Sequence, residues 1–461
     1  MTSRRIVDRQ HIPSPVARVL STLHENGYLS YIVGGACRDL LEGISPHDWD
    51  IATSATPDVV KNLFGATHRL ITLGESHGTV RLIPRESDTS VYVEVTTLRT
   101  EGAYQDARHP DEVQFVEDIE DDLKRRDFTV NAVACKWPDL DVIDPFLGVR
   151  DLGRRLIRAV GEPLRRFGED ALRLLRAFRL VSEKGFRIER ATYSGISENA
   201  HLIDVISRER IRDEFSRLMT GKHVKNALTG MLDVGLLQRI LPEFSDSVGF
   251  DQRSRYHTRK LHDHVIETVA WVPPRLEVRL AALLHDIAKP RTYSLDESKG
   301  AHYYGHAREG AEIASSILKR LRYDSDTVAR VSLLVREHMF AYGPEVSDAG
   351  VRRLVGRVGR ENLADLFELR RADIIAAGGL PDPLLDGMWD RVVVCVTGEE
   401  PTGYLDLAVN GTDVMQVTGW KPGPKVGRML ELLLEEVIQD PSLNARDRLL
   451  DLVSNLKDKI Q

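Results

Sequence analysis

Tyr31-Ile-Val-Gly-Gly-Ala-Cys-Arg-Asp-Leu40, followed closely by His47-Asp-Trp-Asp-Ile-Ala52, decides how the N-terminal part of the chain folds. Tyr31-Ile-Val33 is apolar and β-branched and reads as a strand, broken at Gly34-Gly35 before a helix-like stretch. Backbone without side chains at that point can approach a phosphate closely, and a helix N-terminus favours anions. Arg38 falls within the first turns, within reach of a triphosphate. A glycine pair alone is usually only a turn. Asp48 and Asp50 change the balance, because residues i and i+2 of a strand share a face. Two carboxylates there repel unless a cation lies between them, and Mg²⁺ takes hard oxygen ligands and bridges carboxylates to phosphates. By itself Asp-X-Asp describes an exposed acidic strand end at least as well. A third acid strengthens the metal reading. Val91, Val93 and Val95 alternate with Tyr92, Glu94 and Thr96, which puts Glu94 on the polar face of a strand. Two aspartates and an acid from a neighbouring strand are what a two-metal site needs to activate a 3′-hydroxyl and stabilise a leaving pyrophosphate.

Outward from this segment, Thr79-Val-Arg-Leu-Ile83 and Ser90-Val-Tyr-Val-Glu-Val-Thr96 read as strands. After Asp151 the strand signal nearly vanishes, and helical periodicity covers 168–184, 208–221, 276–289, 307–322, 327–340, 361–377 and 425–438. The expected fold class is α+β: an α/β head followed by an all-helical remainder. Gly378-Gly-Leu-Pro381 and Lys421-Pro-Gly-Pro-Lys425 read as linkers or sharp turns. With 461 residues the chain is too long for one core, and about three or four modules are expected.

Composition excludes several classes. The chain is 42% hydrophobic and 29% charged, as an ordinary soluble protein is. No apolar run approaches the ~20 residues that span a bilayer, and the first ten residues lack the apolar core of a signal peptide. Cys37, Cys135 and Cys395 form neither a metal-ligand spacing nor an even disulfide set, so a reducing cytoplasm is expected. The net charge of −7 argues weakly against a nucleic-acid partner. Local distribution matters more: arginines collect from Arg154 to Arg190, whereas acids collect at Glu117-Asp-Ile-Glu-Asp-Asp122. Such an arginine run is as readily a solvated helix face as a phosphate-binding one.

At this point the chain resembles the class II tRNA nucleotidyltransferases, the bacterial CCA-adding enzymes of the polymerase-β-like superfamily. Val33-Gly-Gly-Ala-Cys-Arg-Asp39, Asp48-Trp-Asp50 and Ile51-Ala-Thr-Ser-Ala-Thr-Pro57 are similar to that family's first motif. Arg125-Arg-Asp-Phe-Thr-Val-Asn-Ala132 is similar to its second, and Asp144-Pro-Phe-Leu-Gly-Val-Arg-Asp-Leu152 to its hinge motif. Glu169-Asp-Ala-Leu-Arg-Leu-Leu-Arg-Ala-Phe-Arg179 is similar to its nucleotide-selecting motif.

The resemblance implies a polymerase-β-like head over residues 1–150, a helical neck over 151–220, a helical body with an HD domain over 221–380, and a tRNA-binding tail over 381–461. It implies that Asp48 and Asp50 hold Mg²⁺ with Glu94 as the third carboxylate, and that Gly35 and Arg38 contact the triphosphate. Arg126, Asp127 and Asn131 would bind the incoming nucleotide and its ribose; Asp170, Arg173, Arg176 and Arg179 would line the nucleotide pocket. The implied partners are tRNA, CTP and ATP, with no membrane.

Positions 170, 173, 176 and 179 recur every third residue on an expected helix, so ~300° steps place them on one slowly spiralling stripe. A carboxylate that takes the amino proton of cytosine or adenine, beside an arginine that donates to the ring acceptors, accepts both bases. Guanine and uracil would turn a carbonyl oxygen toward the carboxylate, and an unpaired buried polar group costs ~1–3 kcal/mol. A surface helix with Asp–Arg pairs is the plainer reading of that segment alone. Arg99-Thr-Glu-Gly-Ala-Tyr-Gln-Asp-Ala-Arg-His-Pro110 corresponds to the family's mobile loop at full length. The loop is typically shortened in relatives that add only CC, so the terminal A is expected too.

His285-Asp286 lies in the apolar run Leu280-Ala-Ala-Leu-Leu-His-Asp-Ile-Ala-Lys289, where a charged pair needs compensation. With His264 and Asp373 the order resembles the HD phosphohydrolases, and His306 and His338 would serve a second ion. Imidazole and carboxylate suit Ni, Mn, Co, Zn or Mg. A metal-free relic of the HD fold is the alternative, and His257, His262 and His302 read as structural. In the tail, Pro424 can open a helix whose N-terminus faces phosphate, or simply make a packing turn. Rival functions are an A-adding enzyme with a separate CC-adding partner, a bacterial poly(A) polymerase, and an HD phosphohydrolase with a degenerate head. Leu73-Gly-Glu-Ser-His-Gly-Thr-Val80 and the HD body weigh against the polymerase.

Overall fold

β1 (Ser30–Val33) is buried along its whole length, as the apolar run Tyr31-Ile-Val33 suits a central strand. In the computed structural model, which describes residues 7–73, 78–85, 91–101, 113–252, 259–296 and 300–460, the chain divides into two units, Met1–Pro242 and Glu243–Gln461. The fold is α+β. In the first unit β1 is joined by β2 (Trp49–Thr53), β3 (His68–Leu73), β4 (Thr79–Pro84) and β5 (Val93–Thr97). A hairpin of β6 (Arg99–Glu101) and β7 (Val113–Phe115) follows, then β8 (Ala134–Lys136) and β9 (Asp141–Ile143). Seven strands form one mixed sheet in the order β3-β4-β5-β2-β1-β8-β9. β2 and β5 run parallel; the other neighbours in the sheet are antiparallel. β5 starts at Val93 rather than Ser90, and its valines turn inward while Glu94 and Thr96 stay half-exposed. Residues 74–77, 102–110 and His257 lie outside the described residues, so the mobile-loop expectation and part of the Leu73–Val80 match do too.

The helix Ser14–Glu25 buries Val16, Val19, Leu20 and Leu23, an i, i+3, i+4, i+7 stripe, and packs against β1. Beyond the sheet, the helix Leu172–Lys184 packs against the helices Arg208–Met219 and Val224–Asp233. It stops at Gly185, whose φ of 67° is the left-handed cap that glycine adopts without strain. One expectation is corrected here. The helical run from 168 is broken: one helix, Pro163–Glu169, ends before Asp170, and the next begins at Leu172. Asp170 is extended (φ −142°, ψ 105°), and its carboxylate accepts the Leu172 N–H at 3.1 Å. That local bond offers the backbone an alternative to helix. A short parallel pair, Leu156–Ile157 with Arg187–Ile188, is a further element in the stretch expected to be all helix.

In the second unit, the helices Leu261–Trp271, Leu276–Leu284, His306–Arg320, Ser325–Glu337 and Leu363–Ala376 pack on one another. Leu276–Leu284 is buried from Val278 onward on every side, which is why it reads as apolar rather than amphipathic. It ends at Leu284, short of the expected 289. His285 is therefore its C-cap, and Asp286 stands in the turns that follow. A hairpin of Ser294–Asp296 and Gly300–His302 precedes His306. Pro424 is the first residue of the helix Pro424–Gln439, which shares a core with Gly411–Thr418 and Arg446–Leu456 through Val414, Met429, Leu433 and Leu449.

Candidate functional site

β1 ends, and β2 and β5 begin, at one edge of the head sheet, and a cavity of about 920 Å³ opens there. Its lining includes Gly35, Arg38, Asp48, Asp50, Glu94, Arg126, Asp127, Asn131, Asp170, Arg173, Arg176 and Arg179, which are all the head and neck residues singled out above. Asp50 lies opposite Glu94 in the β2–β5 register. Asp48 stands exposed one residue before β2 rather than within it. The Tyr92 hydroxyl donates to Asp48 Oδ1 at 2.9 Å, and Arg81 donates to Glu94 Oε1 from Nη2 at 2.6 Å. The acids are thus held by separate partners. Among the described residues, the close groups of His and acid ligand atoms lie in the second unit.

Burial pushes the Asp50 carboxyl up to about 6; Arg126 pulls the other way, while Glu94 and Asp48 add to the rise. A carboxyl raised by burial and by two neighbouring acids is one whose charge a hard divalent cation would compensate. Gly34 makes the close approach. Its φ is +65°, and a Cβ there would come 3.1 Å from Arg126 Nη1 and 3.2 Å from Asp50 Oδ2.

A chain of side chains ties the head to the neck. Arg38 Nη1 donates to Asn131 Oδ1 at 2.8 Å, Asn131 Nδ2 to Asp127 Oδ1 at 3.1 Å, and Arg176 Nε to Asp127 Oδ2 at 2.8 Å. Burial would raise Asp127, but Arg176 and the hydrogen bond from Asn131 outweigh it and hold the carboxyl far below the usual range. Arg126 pairs with the buried Asp122 at 3.0 Å. Arg173 donates to Arg166 O at 2.8 Å, Glu169 Oε2 at 2.9 Å and Arg125 O at 3.0 Å, so three of its five N–H groups hold the protein itself. Arg179 pairs with Glu214 at 3.1 Å. Asp170 Oδ2 accepts from Arg210 Nη2 at 3.0 Å.

Sequence reasoning missed Arg81, Tyr92, Arg210, Glu214 and Arg217, which line the same cavity. For the last three a signal existed: 210, 214 and 217 share one face of the helix Arg208–Met219.

The second unit holds the other constellation. Ligand atoms of His264, His285 and Asp286 lie within 4.8 Å of one another, as do those of Asp286, His306 and His338, so Asp286 belongs to both groups. Asp373 Oδ1 is 3.2 Å from His264 Nε2 and 3.7 Å from His285 Nε2. The Nδ1 atoms of His285, His306 and His338 sit 2.8, 2.7 and 2.7 Å from the carbonyls of Ala282, Tyr303 and Val335. A carbonyl only accepts, so each Nδ1 carries the proton, and in the neutral ring Nε2 turns a lone pair inward. Burial opposes charge on His285, yet Asp286 and Asp373 outweigh it and lift that ring to about 10. Burial, with His285 nearby, pushes His338 down to about 3. Lys289 Nζ reaches Asp286 Oδ2 at 2.6 Å and Gln252 Oε1 at 3.0 Å. Imidazoles and carboxylates converging in this way fit a transition-metal centre. His262 and His302 stand outside it: His262 Nδ1 accepts the Gly249 N–H at 3.1 Å, and His302 stacks on Tyr304.

Comparison with known proteins agrees with both units. The Poly A polymerase head domain matches residues 30–158, and the probable RNA and SrmB-binding site of polymerase A matches 185–247. The HD domain matches 257–378, and tRNA nucleotidyltransferase domain 2 matches 404–453. The CCA-adding enzyme of Limosilactobacillus fermentum is 34% identical over 443 residues, 96% of each chain. That of Latilactobacillus sakei is 33% identical over 438 residues, 94% of this chain and 95% of the relative. The Bacillus stearothermophilus CCA-adding enzyme, solved in complex with CTP, superposes with a TM-score of 0.71 at 28% identity over 96% of both chains. The chain belongs to the CCA-adding enzymes, a family of tRNA nucleotidyltransferases.

Proposed function

We propose that the chain builds C, C and A in turn on the 3′ end of tRNA from CTP and ATP in the head cavity, releasing pyrophosphate at each step. The observation that carries this reading is the meeting of acids, arginines and a glycine turn in one cavity of about 920 Å³. Asp48 and Asp50, with Glu94 beside them, hold Mg²⁺ or a similar ion, which when bound supplies Lewis-acid stabilisation of the phosphoryl oxygens. The Gly34-Gly35 turn and Arg38 seat the triphosphate. Arg126, Asp127 and Asn131 frame the ribose. Asp170 accepts a hydrogen bond from the amino group of cytosine or adenine, and Arg176 and the two remaining N–H groups of Arg173 donate to the base edge. Arg179 braces the pocket through Glu214. The modules 1–150, 151–220, 221–380 and 381–461 act as head, neck, body and tail. No helix among the described residues is long and apolar enough to cross a membrane, and a cytoplasmic site of action suits a tRNA substrate. The test is tRNA lacking all of CCA, incubated with CTP, ATP or both, with its 3′ ends then sequenced. Addition of A alone to ends that already carry CC, with no C added to shorter ends, would favour the A-adding alternative.

A second reading concerns the HD cluster, because Asp286 is shared by two ligand groups. His264, His285, Asp286 and Asp373 would hold one divalent ion, drawn from Ni, Mn, Co, Zn or Mg, and His306 and His338 with Asp286 would serve a second. The activity is hydrolysis of phosphate ends such as 2′,3′-cyclic phosphates. A phosphodiesterase assay across Ni²⁺, Mn²⁺, Co²⁺ and Mg²⁺, with metal content by mass spectrometry, decides it; no metal and no hydrolysis would leave a structural relic.

A further inference from the structure

Glu94 is the middle member of a row across three neighbouring strands. β2 and β5 place Asp50 opposite it, and β4 and β5 place Arg81 opposite it on the other side. Directly opposite residues share a sheet face, so two acids and one arginine stand side by side at the cavity edge. Arg81 is committed to one of them: its Nη2 and Nε lie 2.6 and 3.0 Å from Glu94 Oε1. Its guanidinium also lies over the Tyr92 ring, 4.6 Å from the centroid, and the hydroxyl of that ring donates to Asp48 Oδ1. Arg81 therefore reaches one acid directly and another through a tyrosine. The side chains of the pair are 33% and 27% exposed, so water screens it only in part.

A guanidinium and a divalent cation make the same demand on a carboxylate. We infer that Arg81 is a resident counter-ion that competes with the divalent metal for Glu94 and so weakens metal binding. This rests on the reading of the head acids as metal ligands. Arg81 is then a positioning residue: it holds the Glu94 carboxylate in place while no metal is there, and it has to yield that carboxylate when one enters.

The experiment titrates Mn²⁺ into full-length protein without nucleotide or tRNA and follows free Mn²⁺ by electron paramagnetic resonance. All proteins carry Asp286→Ala, which disables the ligand groups of the second unit. Arg81→Met should tighten Mn²⁺ binding roughly two- to fivefold, the range one partly screened ion pair commands. Arg81→Lys should return it to near the parent value. With Glu94→Gln in place, Arg81→Met should bring no gain, because the contested ligand is gone. Equal Mn²⁺ binding, or none, with and without Arg81 overturns the inference, as does a gain that persists with Glu94→Gln. A purely structural pair would change melting temperature and leave the Mn²⁺ isotherm where it was. Should Arg81→Met fail to fold, Arg81→Gln carries the same expectation. Asp50→Ala separates the two layers: unchanged Mn²⁺ binding there would fail the metal-ligand reading itself, whereas its loss leaves the Arg81 comparison decisive.

Discussion

At Gly34 a single hydrogen stands where a methyl group would meet two charged side chains, Arg126 and Asp50, on a backbone with φ of +65°. Gly34→Ala therefore combines left-handed strain of ~1–2 kcal/mol with displacement of an acid from the phosphate side of the cavity. Nucleotide addition should fall at least ~tenfold, since small misplacements at a reacting centre are costly, while thermal unfolding shifts by only a few degrees. Full activity in that variant would mean that the close approach is incidental. Asp127 offers a pH test. Its folded-state pKa lies below that of an unfolded aspartate, so its contribution to stability is present above the usual carboxylate value and is lost as pH falls toward the folded one. Wild type should be more resistant to urea than Asp127→Asn at pH 7, and the gap should narrow at pH 3. A constant gap would show that Asp127 packs rather than pairs.

The element that matters most for base reading is the joint between Pro163–Glu169 and Leu172–Lys184. The run from Glu169 to Arg179 has unbroken helical spacing, and aspartate costs a helix less than about 1 kcal/mol. Nothing local reports that Asp170 gives its carboxylate to Leu172 N and Arg210 instead. The strands, by contrast, are legible because Val91, Val93 and Val95 alternate cleanly with Tyr92, Glu94 and Thr96. The partnership of Arg81 with Glu94 is not, since register between strands is set by contacts far apart in sequence. The end of the helix at Leu284 is hidden for a third reason: Ile287 and Ala288 are as buried as the helix itself. At this joint, Arg173→Lys keeps the charge but loses the fork that holds Arg166 O, Glu169 and Arg125 O. It should cost ~1–3 kcal/mol of stability and raise misincorporation of GMP and UMP, read by sequencing the products. Unchanged selectivity in both Arg173→Lys and Asp170→Ala would remove the joint from base reading.

Across the whole chain the net charge is −7, yet arginines from six separate segments, from Arg38 to Arg217, gather at one cavity. Total charge is thus a poor guide to a phosphate-binding partner here, because acids such as Asp127 and Glu214 are spent on holding those arginines in place. The two units hold chemically distinct ligand sets. Asp286→Ala should abolish metal retention and phosphodiester hydrolysis in the second unit while CCA addition continues, checked on the same preparation by both assays. Parallel loss of addition would mean that the units are coupled. Asp170, pinned between a backbone N–H and Arg210, has a consequence beyond rate. If it reads the base, part of the tRNA terminus is copied from no template strand but set by one carboxylate. A substitution there would then act on every tRNA end that the enzyme completes, whatever the sequence of the tRNA body.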